Sequence, residues 1–87
     1  KDYGRLLEEI RESISREDFV VLERGAHTLK GRLAFFGIRR IGDMALALEI
    51  KGRSKDISGA LQSLQALELE MAGVLPGFEE LVRGQAV

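Results

Sequence analysis

The chain has 87 residues, 45% hydrophobic and 31% charged, a balance that fits one small folded domain and excludes a disordered chain or a second core. A net charge of −1 gives no general field for nucleic acid or an anionic membrane. Cysteine is absent, which excludes disulfide staples and cysteine-ligated metal sites, and no apolar run approaches a membrane span or resembles a secretory signal.

From residue 3 to 14, Leu6, Leu7, Ile10 and Ile14 recur at helical spacing opposite Arg5, Glu8, Glu9, Arg11 and Glu12, so the pattern predicts an amphipathic helix. Ser15 with Asp18 three residues later resembles a capping box and predicts Ser15 as the cap of a second helix. The turn between them is very short, which makes the two helices antiparallel neighbours.

The second helix is expected from about Glu17 to Phe36. Phe19, Leu22, Ala26, Leu29, Leu33 and Phe36 step by three and four, the spacing of a bundle helix, and Gly37 stands where a left-handed residue commonly ends one. Gly25 and Gly31 lie inside this helix, and each costs about 1 kcal/mol relative to alanine. The sequence suggests no reason for Gly25, which projects away from the face that carries His27.

A third helix is expected over residues 39–51, with Ile41, Met44, Ala45 and Leu48 apolar, and Gly52-Arg53-Ser54 is read as its break. Ser54 or Asp56 then caps a fourth helix whose buried stripe is Ile57, Leu61, Leu64, Leu67, Met71 and Val74. Pro76-Gly77 stops it, Phe78 to Val82 add a short turn, and the last residues are expected to fray. Alternating strand patterns, internal repeats and linkers are missing. The expected fold is all-α, an antiparallel up-and-down four-helix bundle forming a single domain over residues 1–87. Because residue 1 is Lys and not Met, the chain is expected to be a piece of a longer protein. With no second long apolar stripe, the default is a monomer.

His27 is the only histidine. On a helical wheel it falls about 130° from the centre of the stripe formed by Leu22, Ala26, Leu29 and Leu33, and so faces solvent. Within about 60° of it lie Val20, Glu23, Arg24, Lys30, Gly31 and Ala34, with Phe35 slightly farther round. Val20, Ala34 and Phe35 are apolar residues that the bundle does not need to bury, which makes this face a candidate docking surface. A lone surface histidine most often has no role, so position leaves its function open. One histidine with neither cysteine nor converging carboxylates is too small a ligand set for a metal site. No self-contained catalytic set is recognisable from the spacing.

The run His27-Thr28-Leu29-Lys30-Gly31, with Gly37 six residues beyond Gly31, resembles the H-x-L-K-G…G signature of histidine-containing phosphotransfer (HPt) domains. Gly37 to Ile41, Leu46-Ala47-Leu48-Glu49 and Gly52-Arg53 resemble that family's turn and third helix, so the likeness covers roughly residues 5 to 75. The resemblance implies that His27 accepts a phosphoryl group from a receiver aspartate or a histidine kinase domain and passes it to a response-regulator receiver. Lys30 would offset phosphate charge and Gly31 would leave clearance for the group. It further implies no cofactor or independent catalytic machinery in this domain, with Mg2+ carried by the receiver. A cytoplasmic location follows, compatible with a membrane-anchored parent, without nucleic acid or direct membrane contact. Val20, Glu23, Arg24, Ala34 and Phe35 are the expected partner-binding face. In chemotaxis-kinase relatives a third-helix glutamate orients the histidine, and Glu49 is the candidate here, although their His-x-x-Glu motif is replaced by Leu46-x-x-Glu49. Arg32, just after the glycine, and Phe35 are larger than is common in the family, and Phe35 is expected to affect partner choice. The alternative expectation is a helical interaction or dimerisation module whose histidine is not phosphorylated.

Overall fold

Four helices account for the apolar periodicity: α1 (Tyr3–Arg16), α2 (Phe19–Ala34), α3 (Arg39–Ser54) and α4 (Ala60–Val74). The computed structural model describes residues 3–35 and 37–74. Each helix buries one stripe: Leu6, Leu7, Ile10 and Ile14 from α1, Leu22, Ala26, Leu29 and Leu33 from α2, Ile41, Ala45 and Leu48 from α3, and Ala60, Leu64, Leu67 and Met71 from α4. These stripes form one core.

Each helix packs on the next, and α4 closes onto α1. The connectors are two, four and five residues long, too short to return to the far end of a helix of fourteen to sixteen. Neighbours must therefore run in opposite directions. Paired contacts agree: Glu23 meets Arg53 while His27 meets Glu49, and Arg40 meets Glu70 while Lys51 meets the Ser58 carbonyl.

The helix ends differ from expectation. Ser15 caps nothing. It lies in the last turn of α1, which closes with Glu17 in the left-handed region at φ 55°. There Glu17 N donates to Ile14 O at 3.2 Å and Asp18 N to Ser13 O at 2.8 Å, the paired bonds of a Schellman end. Asp18 then begins α2, its side chain accepting from Val21 N at 3.3 Å. Helix α2 ends at Ala34, not Phe36, and Gly37 takes φ 70° in the turn, its N–H bonded to Ala34 O. Phe19 is half-buried, and Phe36 lies outside the described residues.

Gly52 does not break α3. The helix continues to Ser54 and ends on left-handed Lys55, φ 56°, in a second Schellman arrangement. Gly52 is small because α2 and α3 nearly touch there: a Cβ would stand 2.6 Å from Glu23 N and 2.8 Å from Glu23 Cα. Gly25 also acquires a reason, since a Cβ would lie 2.9 Å from Cγ1 of fully buried Ile10 on α1. Neither Ser54 nor Asp56 is the cap of α4. Asp56 instead holds the connector, accepting from Ser58 N at 3.1 Å and Ser58 Oγ at 2.5 Å, and α4 starts at Ala60. Leu64, Leu67 and Met71 are buried as expected and Ile57 packs partly buried against the core, but Ala60 takes the place of Leu61 in the stripe, and Leu61 and Val74 are exposed, at 39% and 43%. The Pro76-Gly77 stop and the Phe78 to Val82 turn lie outside the described residues. No helix among the described residues is long and apolar enough to cross a membrane.

Candidate functional site

His27 sits near the middle of α2, on the side away from its buried stripe but next to α3. The Gly52–Glu23 approach draws the two helices together one turn from it. The His27 side chain is 66% exposed, yet its Nδ1 reaches Glu49 Oε2 at 3.2 Å. Glu49 is the opposite case, a carboxylate on α3 with only 6% of its side chain exposed.

An isolated buried carboxylate would be unfavourable, and this one is surrounded by cations. Oε1 is enclosed and faces the Lys30 ammonium at 2.9 Å, an ion pair without the alignment of a hydrogen bond. Oε2 accepts from Arg53 Nη2 at 2.9 Å as well as meeting His27. Arg53 Nε in turn donates to Glu23 Oε2 at 3.2 Å. Contact with the Lys30 ammonium holds the Glu49 carboxyl below the usual carboxylate range, outweighing the upward push of burial, and the His27 contact acts in the same direction as Lys30. Glu49 is therefore ionised, and an ionised carboxylate only accepts. The shared hydrogen must belong to His27 Nδ1, which in the neutral ring leaves the lone pair on Nε2. The tautomer is inferred from that bonding partner.

Two open clefts run along the α2–α3 seam. One, of about 390 Å³, is lined by Val20, Glu23, Arg24, His27 and Glu49. The other, of about 320 Å³ near the α2–α3 turn, includes Lys30, Ala34, Ile38 and Leu46 in its lining. The structure thus divides the expected face. Val20, Glu23 and Arg24 share a cleft with His27, Lys30 and Ala34 border the next, and Gly31 and Phe35 line neither. Val20 and Phe35 are exposed, at 67% and 91%. Gly31 is exposed, and a Cβ there would meet nothing within 4 Å. Arg32 lies away from the site: its charge acts on the Tyr3 phenol of α1, whose pKa burial raises and Arg32 lowers.

Sequence reasoning gave Arg53 no part in the site: the local pattern placed it in a helix break, and the resemblance took it only with Gly52 as part of the likeness to the third helix. The readable signal was its position four residues after Glu49, which puts the two on one face of a continuous α3. Among the described residues, no group of three or more histidine, aspartate or glutamate side chains could hold a metal ion.

The family model described as "Hpt domain" matches residues 2–76. No curated protein and no solved structure matches the chain.

Proposed function

The chain belongs to the Hpt domain family, whose members serve phosphorelay in two-component signalling, and we propose that its own role is that of an intermediate phosphorylated at His27 Nε2. The observation that carries this reading is the His27–Glu49 contact. It fixes the hydrogen on Nδ1 and leaves a nucleophilic lone pair on the far side of an exposed ring.

The donor is an aspartyl phosphate of a receiver domain, which carries the Mg2+, or a histidine kinase domain of the parent protein. From a receiver, the Nε2 lone pair forms the N–P bond as the P–O bond to the aspartate breaks and the carboxylate leaves. No proton has to move. Nδ1 keeps its hydrogen, and the phosphorylated ring becomes an imidazolium whose positive charge lies against Glu49. Lys30, three residues after His27 on α2 and already beside Glu49, supplies an ammonium for the incoming phosphoryl oxygens, and open Gly31 leaves them room. Onward transfer to a second receiver aspartate reverses these steps. Positioning and charge supply the rate, as phosphoryl transfer requires. Val20, Glu23, Arg24, Ala34 and Phe35 form the receiver-facing surface around His27. The setting is cytoplasmic, whether or not the parent is anchored in a membrane.

Incubation with a phosphorylated receiver should give an acid-labile, base-stable phosphoprotein, and His27→Gln should give none. Equal labelling of the two would refute the assignment. The competing reading, an unphosphorylated interaction module, predicts that Val20→Glu weakens receiver binding while parent and His27→Ala are both unlabelled.

A further inference from the structure

Arg53 lies outside the signature that brought His27, Lys30 and Gly31 together, yet it touches two acids of the site. We propose that Arg53 is a positioning residue: anchored on Glu23, its guanidinium holds the Glu49 carboxylate in the orientation that keeps the hydrogen on His27 Nδ1 and the lone pair on Nε2. This inference rests on the phosphotransfer reading for its consequence but not for its geometry.

Glu49 ends in a carboxylate that can turn about its last side-chain torsion, a soft, roughly two-fold rotation. Lys30 alone would not fix that rotation, because an ammonium is a point charge on a flexible stem and attracts either oxygen. Arg53 supplies what Lys30 lacks. Its Nη2 takes Oε2 at 2.9 Å, on the same oxygen that meets His27, while Lys30 takes Oε1 at 2.9 Å from the other side. The two oxygens are thereby distinguished, and the one beside the imidazole is held there.

The guanidinium is itself held. Nε donates to Glu23 Oε2, so one planar group bonds acids from both helices. Glu23 lies one turn before His27 on α2, and Arg53 one turn after Glu49 on α3. The contacts Glu23–Arg53, Arg53–Glu49 and Glu49–His27 therefore link four residues in a chain that crosses the seam and returns to α2. That linkage depends on the near-contact of backbones at Gly52 and Glu23, since a wider seam would carry Arg53 away from Glu23. A lysine at position 53 would keep the charge but lose the fork that spans two acids.

The test uses the 87-residue chain with Arg53→Gln, Arg53→Lys and Glu23→Gln. Arg53 and Glu23 have side chains 58% and 39% exposed, so none of these changes opens the core. The ring-nitrogen chemical shifts of His27 report its tautomer, and labelling by a phosphorylated receiver reports the rate constant and the apparent receiver affinity. The parent should show the Nδ1–H tautomer alone. Arg53→Gln should show both tautomers and accept phosphoryl on the order of 10-fold more slowly at unchanged receiver affinity, because misorientation costs rate, not binding. Glu23→Gln should fall between, and Arg53→Lys should not restore the parent tautomer. A pure Nδ1–H tautomer in Arg53→Gln, or full restoration by lysine, would overturn the proposal. If the parent itself acquired no phosphoryl group, the phosphotransfer reading would fail, while the tautomer comparison would still decide the part played by Arg53.

Discussion

A methyl group added at Gly31 meets no atom within 4 Å, whereas at Gly25 it would stand 2.9 Å from Ile10 Cγ1 and at Gly52 2.6 Å from the Glu23 amide nitrogen. These glycines thus have different reasons to be there, and substitution separates them. Gly31→Ala removes a helix-interior glycine without a clash, so it should raise stability by about 0.5–1 kcal/mol in urea denaturation. The same variant should accept phosphoryl more slowly, because the methyl occupies the clearance beside His27. Gly52→Ala should instead cost about 1–3 kcal/mol, since the helices must move apart against a packed core. It should also weaken the His27–Glu49 contact one turn away. A loss of stability in Gly31→Ala would mean that Gly31 serves packing and not the partner. The sequence made His27, Lys30 and Gly31 legible because they share one helix and one face. Gly25 and Gly52 were not legible, because the atoms that forbid a side chain there belong to another helix and become neighbours only after folding.

Apolar periodicity located every helix, because burial of one stripe decides where a helix lies. It did not locate the ends, which depend on which backbone groups find partners. Ser15 with Asp18 imitated a capping box, but the serine was still bonded within α1 and Asp18 began α2 directly. In α4 the expected Leu64, Leu67 and Met71 are buried, but Ala60 takes the place expected of Leu61, because Ala60, Leu64, Leu67 and Met71 follow steps of four, three and four, leaving Leu61 about 100° round from Ala60. Glycine at 52 suggested an end, while the true end took a lysine. That choice leaves strain in the connector: Lys55 holds φ 56°, a conformation that disfavours a Cβ. Lys55 is exposed, so Lys55→Gly should relieve that strain without loss of packing and raise the stability of the bundle by up to about 1 kcal/mol. A thermal or urea midpoint checks it. A lower midpoint would mean that the added freedom of the unfolded chain outweighs the relieved strain.

Across the whole molecule the seams are unlike one another. Between α1 and α4 the charged tie is the Arg11–Glu68 pair, both of whose carboxylate oxygens take Nη2, at 2.6 and 2.7 Å, on a partly exposed surface where such pairs contribute little. Between α2 and α3 a buried carboxylate is held by three cationic or hydrogen-donating side chains. The fold's response to acid should therefore be concentrated at the site. Glu49 has a folded-state pKa below its unfolded value, chiefly through Lys30. Above the unfolded value, about 4.3 for glutamate, both states are ionised and the stabilisation is fully present. As pH falls through that value towards the depressed folded one, the unfolded chain takes up a proton that the fold does not, so stability is lost on acidification. Exposed Asp56, lowered by its Ser58 hydrogen bonds, shifts in the same direction, so the parent alone cannot isolate Glu49. Comparison with Glu49→Gln can. The variant should be less stable than the parent at about pH 7, since Lys30 and Arg53 lose their shared counter-charge. The gap in urea midpoint should narrow steadily as pH falls through the unfolded-chain value of about 4.3. Parallel curves would show that Glu49 gains nothing from its cations on folding. A narrowing gap would tie the acid sensitivity of the bundle to the carboxylate that orients its nucleophile.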